Sequence, residues 1–200
     1  MSYAPDQHHR QSIRLKGYDY SQAGAYFVTI VTQGRECRFG DIIDGVMRTN
    51  EAGQMVEAAW TALPQRFPGI ELDAYVVMPN HMHGVIVVGA SLVVAPNTVL
   101  ATNRAGTSPA PTLGDVVGAF KSITTHAYIQ GVYDGGWLPF DKRVWQRNYY
   151  EHIIRSKIEL NAIRQYIIDN PAQWEQDRDN PIKIHPVAET VAVYLSEAGL

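Results

Sequence analysis

One cysteine, Cys37, occurs in the 200 residues. A lone thiol excludes an intramolecular disulfide and a zinc cage built from cysteines. No apolar run is long enough to span a bilayer. Met1 to Lys16 is polar and charged and lacks the apolar segment of a signal peptide. These absences point to a cytoplasmic chain with no membrane partner. No internal repeat is visible. Charge is sparse, at 18% of residues, and the net value is −3, so the chain as a whole is not basic.

What is present is a core. Hydrophobic residues make up 46% of the chain, enough for one well-buried domain at this length. Charge is also segregated. Between Asp141 and Arg164 the bases Lys142, Arg143, Arg147, Arg155, Lys157 and Arg164 face only Asp141, Glu151 and Glu159. A local basic face is what phosphate binding requires, whatever the overall sum.

The pattern divides into an N-terminal arm (1–20), a domain (21–175) and a C-terminal tail (176–200). Residues 90–112, poor in charge and rich in Ala, Thr, Val, Pro and Asn, read as a flexible insert within the domain. Tyr26 to Thr32 is β-branched and aromatic and reads as a strand. A loop to about Asn50 follows. Glu51 to Phe67 carries a helical apolar stripe through Met55, Ala59, Ala62 and Leu63, with Pro64 set to kink or stop it. Residues 72–78 and 82–88 form a hairpin about the turn signal Pro79-Asn80. Thr112 and Asp115, in a weak form of the capping box, open a helix to about Gln130. Arg143 to Arg147 reads as a fourth strand or an edge. Ser156 and Glu159 open a last helix whose stripe is Leu160, Ile163 and Ile167, and Asn170-Pro171 closes it. The order β-α-β-β-α-β-α matches an α+β, ferredoxin-like sandwich with an antiparallel sheet, followed by a C-terminal helix.

The most informative stretch is Met78 to Val88, where His81 and His83 flank Met82 at the head of an apolar run. A strand alternates its side chains, so both imidazoles share one face. Two imidazoles on a rigid strand make half of a metal site. A histidine-triad hydrolase wants a third histidine where Val85 stands. An amidohydrolase site wants a nearby Asp or further His, which Gly84 to Val88 lacks. On the last helix Tyr166 and Asn170 lie one turn apart on one face. Asn170 can offer a metal an oxygen, and Tyr166 can offer a nucleophilic phenol.

These segments resemble the single-tyrosine transposases of the IS200/IS605 type, above all the REP-associated tyrosine transposases. The matching stretches are Tyr26 to Thr32, Ala74 to Gly84, Phe120-Lys121-Ser122, Trp145 to Arg155 and Ile163 to Pro171. The resemblance implies that His81, His83 and Asn170 bind Mg²⁺ or Mn²⁺ and that Tyr166 is the catalytic nucleophile. It implies cleavage of single-stranded DNA beside a hairpin through a 5′-phosphotyrosine, with strand transfer on reversal. A monomer and a homodimer both fit. Tyr149 and Tyr150 are rival nucleophiles, though a packed helix positions an attacking atom better than a loop. Arg143, Arg147, Arg155 and Lys121 suit phosphate, and Trp145 suits stacking on an unpaired base, although by residue type it suits the core equally well. Two other functions share these residues: a non-catalytic module that binds DNA hairpins, and a metal-dependent phosphodiesterase of small nucleotides.

Overall fold

The computed structural model describes residues 23–89, 111–182 and 195–196. The N-terminal arm, nearly all of the insert and most of the tail lie outside the described residues.

β1 (Gly24–Val31), β4 (Ile70–Val77), β5 (His81–Val88) and β6 (Tyr150–Ile154) form one sheet in the order β4-β5-β1-β6. Every pairing is antiparallel. α1 (Glu51–Thr61) links β1 to β4, and α3 (Leu113–Asp134) links β5 to β6. This is the ferredoxin-like α+β sandwich expected from the element order. α4 (Lys157–Asp169) follows β6.

Alternation sorts the strands into two cores. Tyr26, Val28 and Ile30 of β1 join Met82, Ile86 and Val88 of β5 under α1 and α3. Ala25 and Phe27 join Val85 on the other face, under Ile163, Tyr166 and Ile167 of α4. His81 pairs with Val31 and His83 with Thr29. Cross-strand partners share a face, so both histidines lie on the α4 side. Gly84, between the histidines and the core, is fixed by packing: a Cβ there would stand 2.4 Å from the Trp60 ring. α4 is tied to the sheet by Arg164, which donates to both Asp73 oxygens at 2.7 and 2.6 Å.

Helix starts follow the caps read from sequence. Thr112 Oγ1 accepts from Asp115 N–H while the Asp115 carboxylate accepts from Thr112 N–H, so the shorter acid closes the box. Ser156 Oγ accepts from Glu159 N–H. Glu159 itself turns to Arg155 N–H and His152. The break at Pro64 is real: α1 ends at Thr61 and a short α2 (Leu63–Arg66) takes Pro64 into its first turn.

Three expectations need correction. The loop before Asn50 contains a hairpin, β2 (Gly40–Ile43) and β3 (Val46–Thr49). Its Asp44-Gly45 turn has φ of 53° and 72°, the left-handed pair that a two-residue hairpin needs. Arg143 to Arg147 is not the fourth strand. Only Trp145 bridges, to Thr32, because its indole is drawn into the core between Phe39 and Phe120; the strand begins at Tyr150. The last helix does end at Asn170-Pro171, but not for the reason expected: Asn170, its C-cap, keeps helical angles (φ −54°, ψ −43°) despite the following proline. The α-helix ends at Asp169, and residues 170–173 continue it as a 3-10 turn.

Candidate metal and tyrosine site

His81 and His83 are fully buried, with Nε2 atoms 3.0 Å apart. Their outer nitrogens are wired separately. The Asn80 amide donates to the carbonyls of Arg35 (2.8 Å) and Asp179 (2.7 Å). With both amide hydrogens spent, Asn80 Oδ1 faces His81 Nδ1 at 2.8 Å and can only accept. His81 therefore carries its proton on Nδ1. His83 Nδ1 meets Thr29 Oγ1 at 2.9 Å. A hydroxyl both donates and accepts, so Thr29 imposes no tautomer on His83; without an ion, the 3.0 Å contact with the bare His81 Nε2 places the His83 proton on Nε2.

Burial holds His81 below the ordinary histidine range, partly offset by Asp177, Asp179 and Asn170. Burial, then the neighbouring His81, holds His83 well below it. Neutral His81, protonated on Nδ1, presents a bare Nε2 lone pair to the space it shares with His83. Phe27 stacks on His83 at 5.3 Å and 23°, which fixes the ring plane.

α4 and the chain beyond it close this space. Tyr166 is 4% exposed. Its ring meets the edge of His83 at 5.3 Å and that of Phe27 at 5.9 Å. Asn170, one turn on, is buried, and its Oδ1 has no hydrogen-bond partner among the described residues. Asp177 is buried too; its Oδ2 lies 3.7 Å from His81 Nε2, while Oδ1 accepts from Asp179 N–H. Asp179 in turn pairs with Arg35 at 2.9 Å. The His81, His83 and Asp177 donor atoms lie within 4.8 Å of one another.

The donors suit a divalent ion. Two ligands at right angles on an ion with bonds of about 2.1 Å stand about 3.0 Å apart, which is the observed nitrogen separation. Two imidazoles, an orphaned amide oxygen and a carboxylate converge with no cationic side chain among them. Hard and intermediate divalent cations accept such a nitrogen and oxygen set.

The other candidates are scattered. Trp145 is 3% exposed and its Nε1 donates to Thr124 Oγ1 at 2.8 Å, so its ring faces belong to the core. Lys121 does not reach outward: its ammonium donates to the carbonyls of Gln146 (3.0 Å), Arg147 (3.4 Å) and Asn148 (3.0 Å). Burial pushes it down to about 8, while the three carbonyls favour the charged form. Arg143 and Arg147 are exposed beside this clamp. Arg155 follows Ile154, which pairs with Ala25. The histidines stand at the opposite end of β1, about 20 Å away at 3.3 Å per residue. Tyr149 lies beneath Lys121. Tyr150 shares the His83 face but pairs with Thr29 from the far side, two strand spacings or about 10 Å from His83.

Asn80, Thr29 and Asp177 are site residues that sequence reading missed. Asn80 registered only as a turn residue. Asp177 lies in the stretch taken as tail, where nothing in the spacing singles it out.

No family model matches the chain. A protein of Haemophilus influenzae, described only as uncharacterized, is 40% identical over 176 residues, which span 86% of this chain and 93% of that protein. Among solved structures, a REP-associated tyrosine transposase bound to a REP hairpin superposes with a TM-score of 0.53. It is 20% identical, over 80% of this chain and 73% of the other. The chain thus belongs to one family with the Haemophilus influenzae protein and is built on the fold of a REP-associated tyrosine transposase.

Proposed function

We propose that this chain is a metal-dependent single-strand DNA endonuclease and strand transferase of the REP-associated tyrosine transposase kind. The observation that carries the reading is the meeting of Tyr166 and Asn170, one helical turn apart, with the His81–His83 pair. A phenol and a divalent-ion donor set then share one site. His81, His83, Asn170 and Asp177 hold Mg²⁺ or Mn²⁺, which when bound withdraws charge from a phosphate oxygen.

Tyr166 Oη attacks the phosphorus. The P–O3′ bond breaks, the phenolic proton is lost to solvent, and the departing 3′ oxygen takes up a proton. The products are a 5′-phosphotyrosine and a free 3′-hydroxyl. Attack by a second 3′-hydroxyl reverses the step and joins strands, so no nucleotide cofactor is consumed. Tyr166 is favoured over Tyr150 because its ring touches His83. Arg143 and Arg147 supply phosphate contacts. The hairpin borne by the structural relative is the substrate proposed here, a short DNA hairpin with a single-stranded flank.

Incubation with a library of single-stranded hairpins and Mn²⁺, resolved on denaturing gels, tests the reading. Wild type should give a protein–DNA adduct that chelation abolishes, and Tyr166→Phe should bind hairpins without forming it. A metal-independent adduct, or one retained in Tyr166→Phe, overturns the proposal.

A further inference from the structure

A cleft of about 380 Å³ opens on the α3 side of the sheet, away from the histidines. Ser122, His126 and Ile129 of α3 form one wall; Arg143, Trp145 and Arg147 form the other. No carboxylate among the described residues lines it. Asp141, the nearest acid in sequence, pairs with Lys142 at 3.6 Å. The Arg143 and Arg147 side chains have no ion-pair partner among the described residues, and both are exposed. The floor is apolar, from Ile129 and the rim of Trp145. The second wall is held rigidly: Lys121 spends its ammonium on three successive carbonyls there, and Trp145 is anchored on Thr124. A small apolar floor between two free guanidiniums has the chemistry of a nucleotide site, with the base below and the phosphate above.

One wall of the cleft is also tied by backbone to the sheet end where the histidines stand. Gln146 N–H donates to Val31 O at 2.9 Å, and Val31 is the strand partner of His81. The wall therefore hangs from the end of β1 that pairs with the two histidines of β5, about 10 Å from His81 at two strand spacings.

We propose that this cleft is a subsite for one unpaired nucleotide of the DNA strand, its base on the Ile129–Trp145 floor and its phosphate on Arg143 and Arg147. The strand then turns round the sheet end at Thr32 to reach His81. The assignment of the strand as DNA rests on the function proposed above.

Ser122 is exposed on α3, so Ser122→Trp fills the cleft without changing charge. The probe is a dT 12-mer with one central 2-aminopurine, free or in a blunt duplex, titrated against the full chain. Wild type should bind the single strand more tightly and change its 2-aminopurine emission. Ser122→Trp should lose at least fivefold in single-strand affinity, lose the emission change, and bind duplex as before. Arg143→Ala should weaken both. If the Trp variant melts early, Ser122→Leu should show the same ordering at smaller size. Equal single-strand binding by wild type and the filled variants overturns the subsite. So does saturable binding of free dTMP that Ser122→Trp blocks while strand binding stays intact. The two proposals fail separately: loss of the subsite leaves the Tyr166 adduct standing, and absence of any adduct leaves the Ser122→Trp effect standing.

Discussion

Replacing Asn80 by alanine should damage stability and metal binding together. Asn80 is fully buried and its side chain makes three hydrogen bonds, to Arg35 O, Asp179 O and His81 Nδ1. Each is worth about 1 kcal/mol net, and buried partners left unpaired add to the loss. The sum is about 3–4 kcal/mol. With a urea slope of about 2 kcal/mol/M, the unfolding midpoint falls by about 1.5–2 M. The same change frees the His81 ring to rotate or switch tautomer. Loss of a partner behind a ligating imidazole costs about 10–100-fold in metal affinity, readable by Mn²⁺ electron paramagnetic resonance. Asn80→Asp separates the two effects. It keeps an acceptor for His81 but sets carboxylate oxygens against the two carbonyls, so it should lose stability while retaining more Mn²⁺ affinity than Asn80→Ala. A midpoint shift under about 0.5 M with unchanged Mn²⁺ affinity would refute the role assigned to Asn80.

Gly84→Ala should cost about 1–3 kcal/mol by overpacking, since its Cβ would collide with Trp60 at 2.4 Å; a thermal midpoint within one degree of wild type contradicts that packing. Acid should destabilise the native state. Both site imidazoles are held below their ordinary range, so below about pH 6.5 the unfolded chain takes up protons that the native one refuses. The thermal midpoint should drop between pH 7.5 and 5.5, and His83→Gln should flatten that dependence. Lys121→Met should weaken DNA binding without altering its salt slope, because the ammonium is spent on backbone carbonyls. Arg147→Ala should lower the slope by about one phosphate contact. Equal slope changes in the two variants would return Lys121 to the phosphate surface.

The sheet and the histidine face are legible because β1 and β5 are β-branched apolar runs, because residues two apart on a strand share a face, and because the caps at Thr112 and Ser156 sit where helices begin. The β2–β3 hairpin was also written in the sequence, in Asp44-Gly45 between Ile42-Ile43 and Val46-Met47, but its strands are too short to outweigh a polar loop. The fourth strand is misplaced because Trp145, apolar and next to Val144, imitates a strand residue while serving as a core plug five positions before β6 begins. Asn170-Pro171 does mark the end of the α-helix, although Asn170 keeps helical angles and leads into a 3-10 turn. Asp177 reaches the histidines only through the turn at residues 174–180, and no local periodicity encodes such a contact. The donor of the Asn80–His81 bond follows from two distant carbonyls, which only the fold brings near.

Peptide mapping of the covalent adduct tests the central claim most directly. After Mn²⁺-dependent cleavage of a hairpin substrate, the DNA is trimmed by nuclease, the protein is digested with trypsin, and the modified peptide is sequenced by mass spectrometry. Tyr166 lies in the peptide Gln165 to Arg178, and the rivals Tyr149 and Tyr150 lie in Asn148 to Arg155. The account predicts a nucleotide phosphate on Tyr166 in the first peptide and none on the second. A nucleotide on Asn148 to Arg155, with Gln165 to Arg178 unmodified, would contradict it.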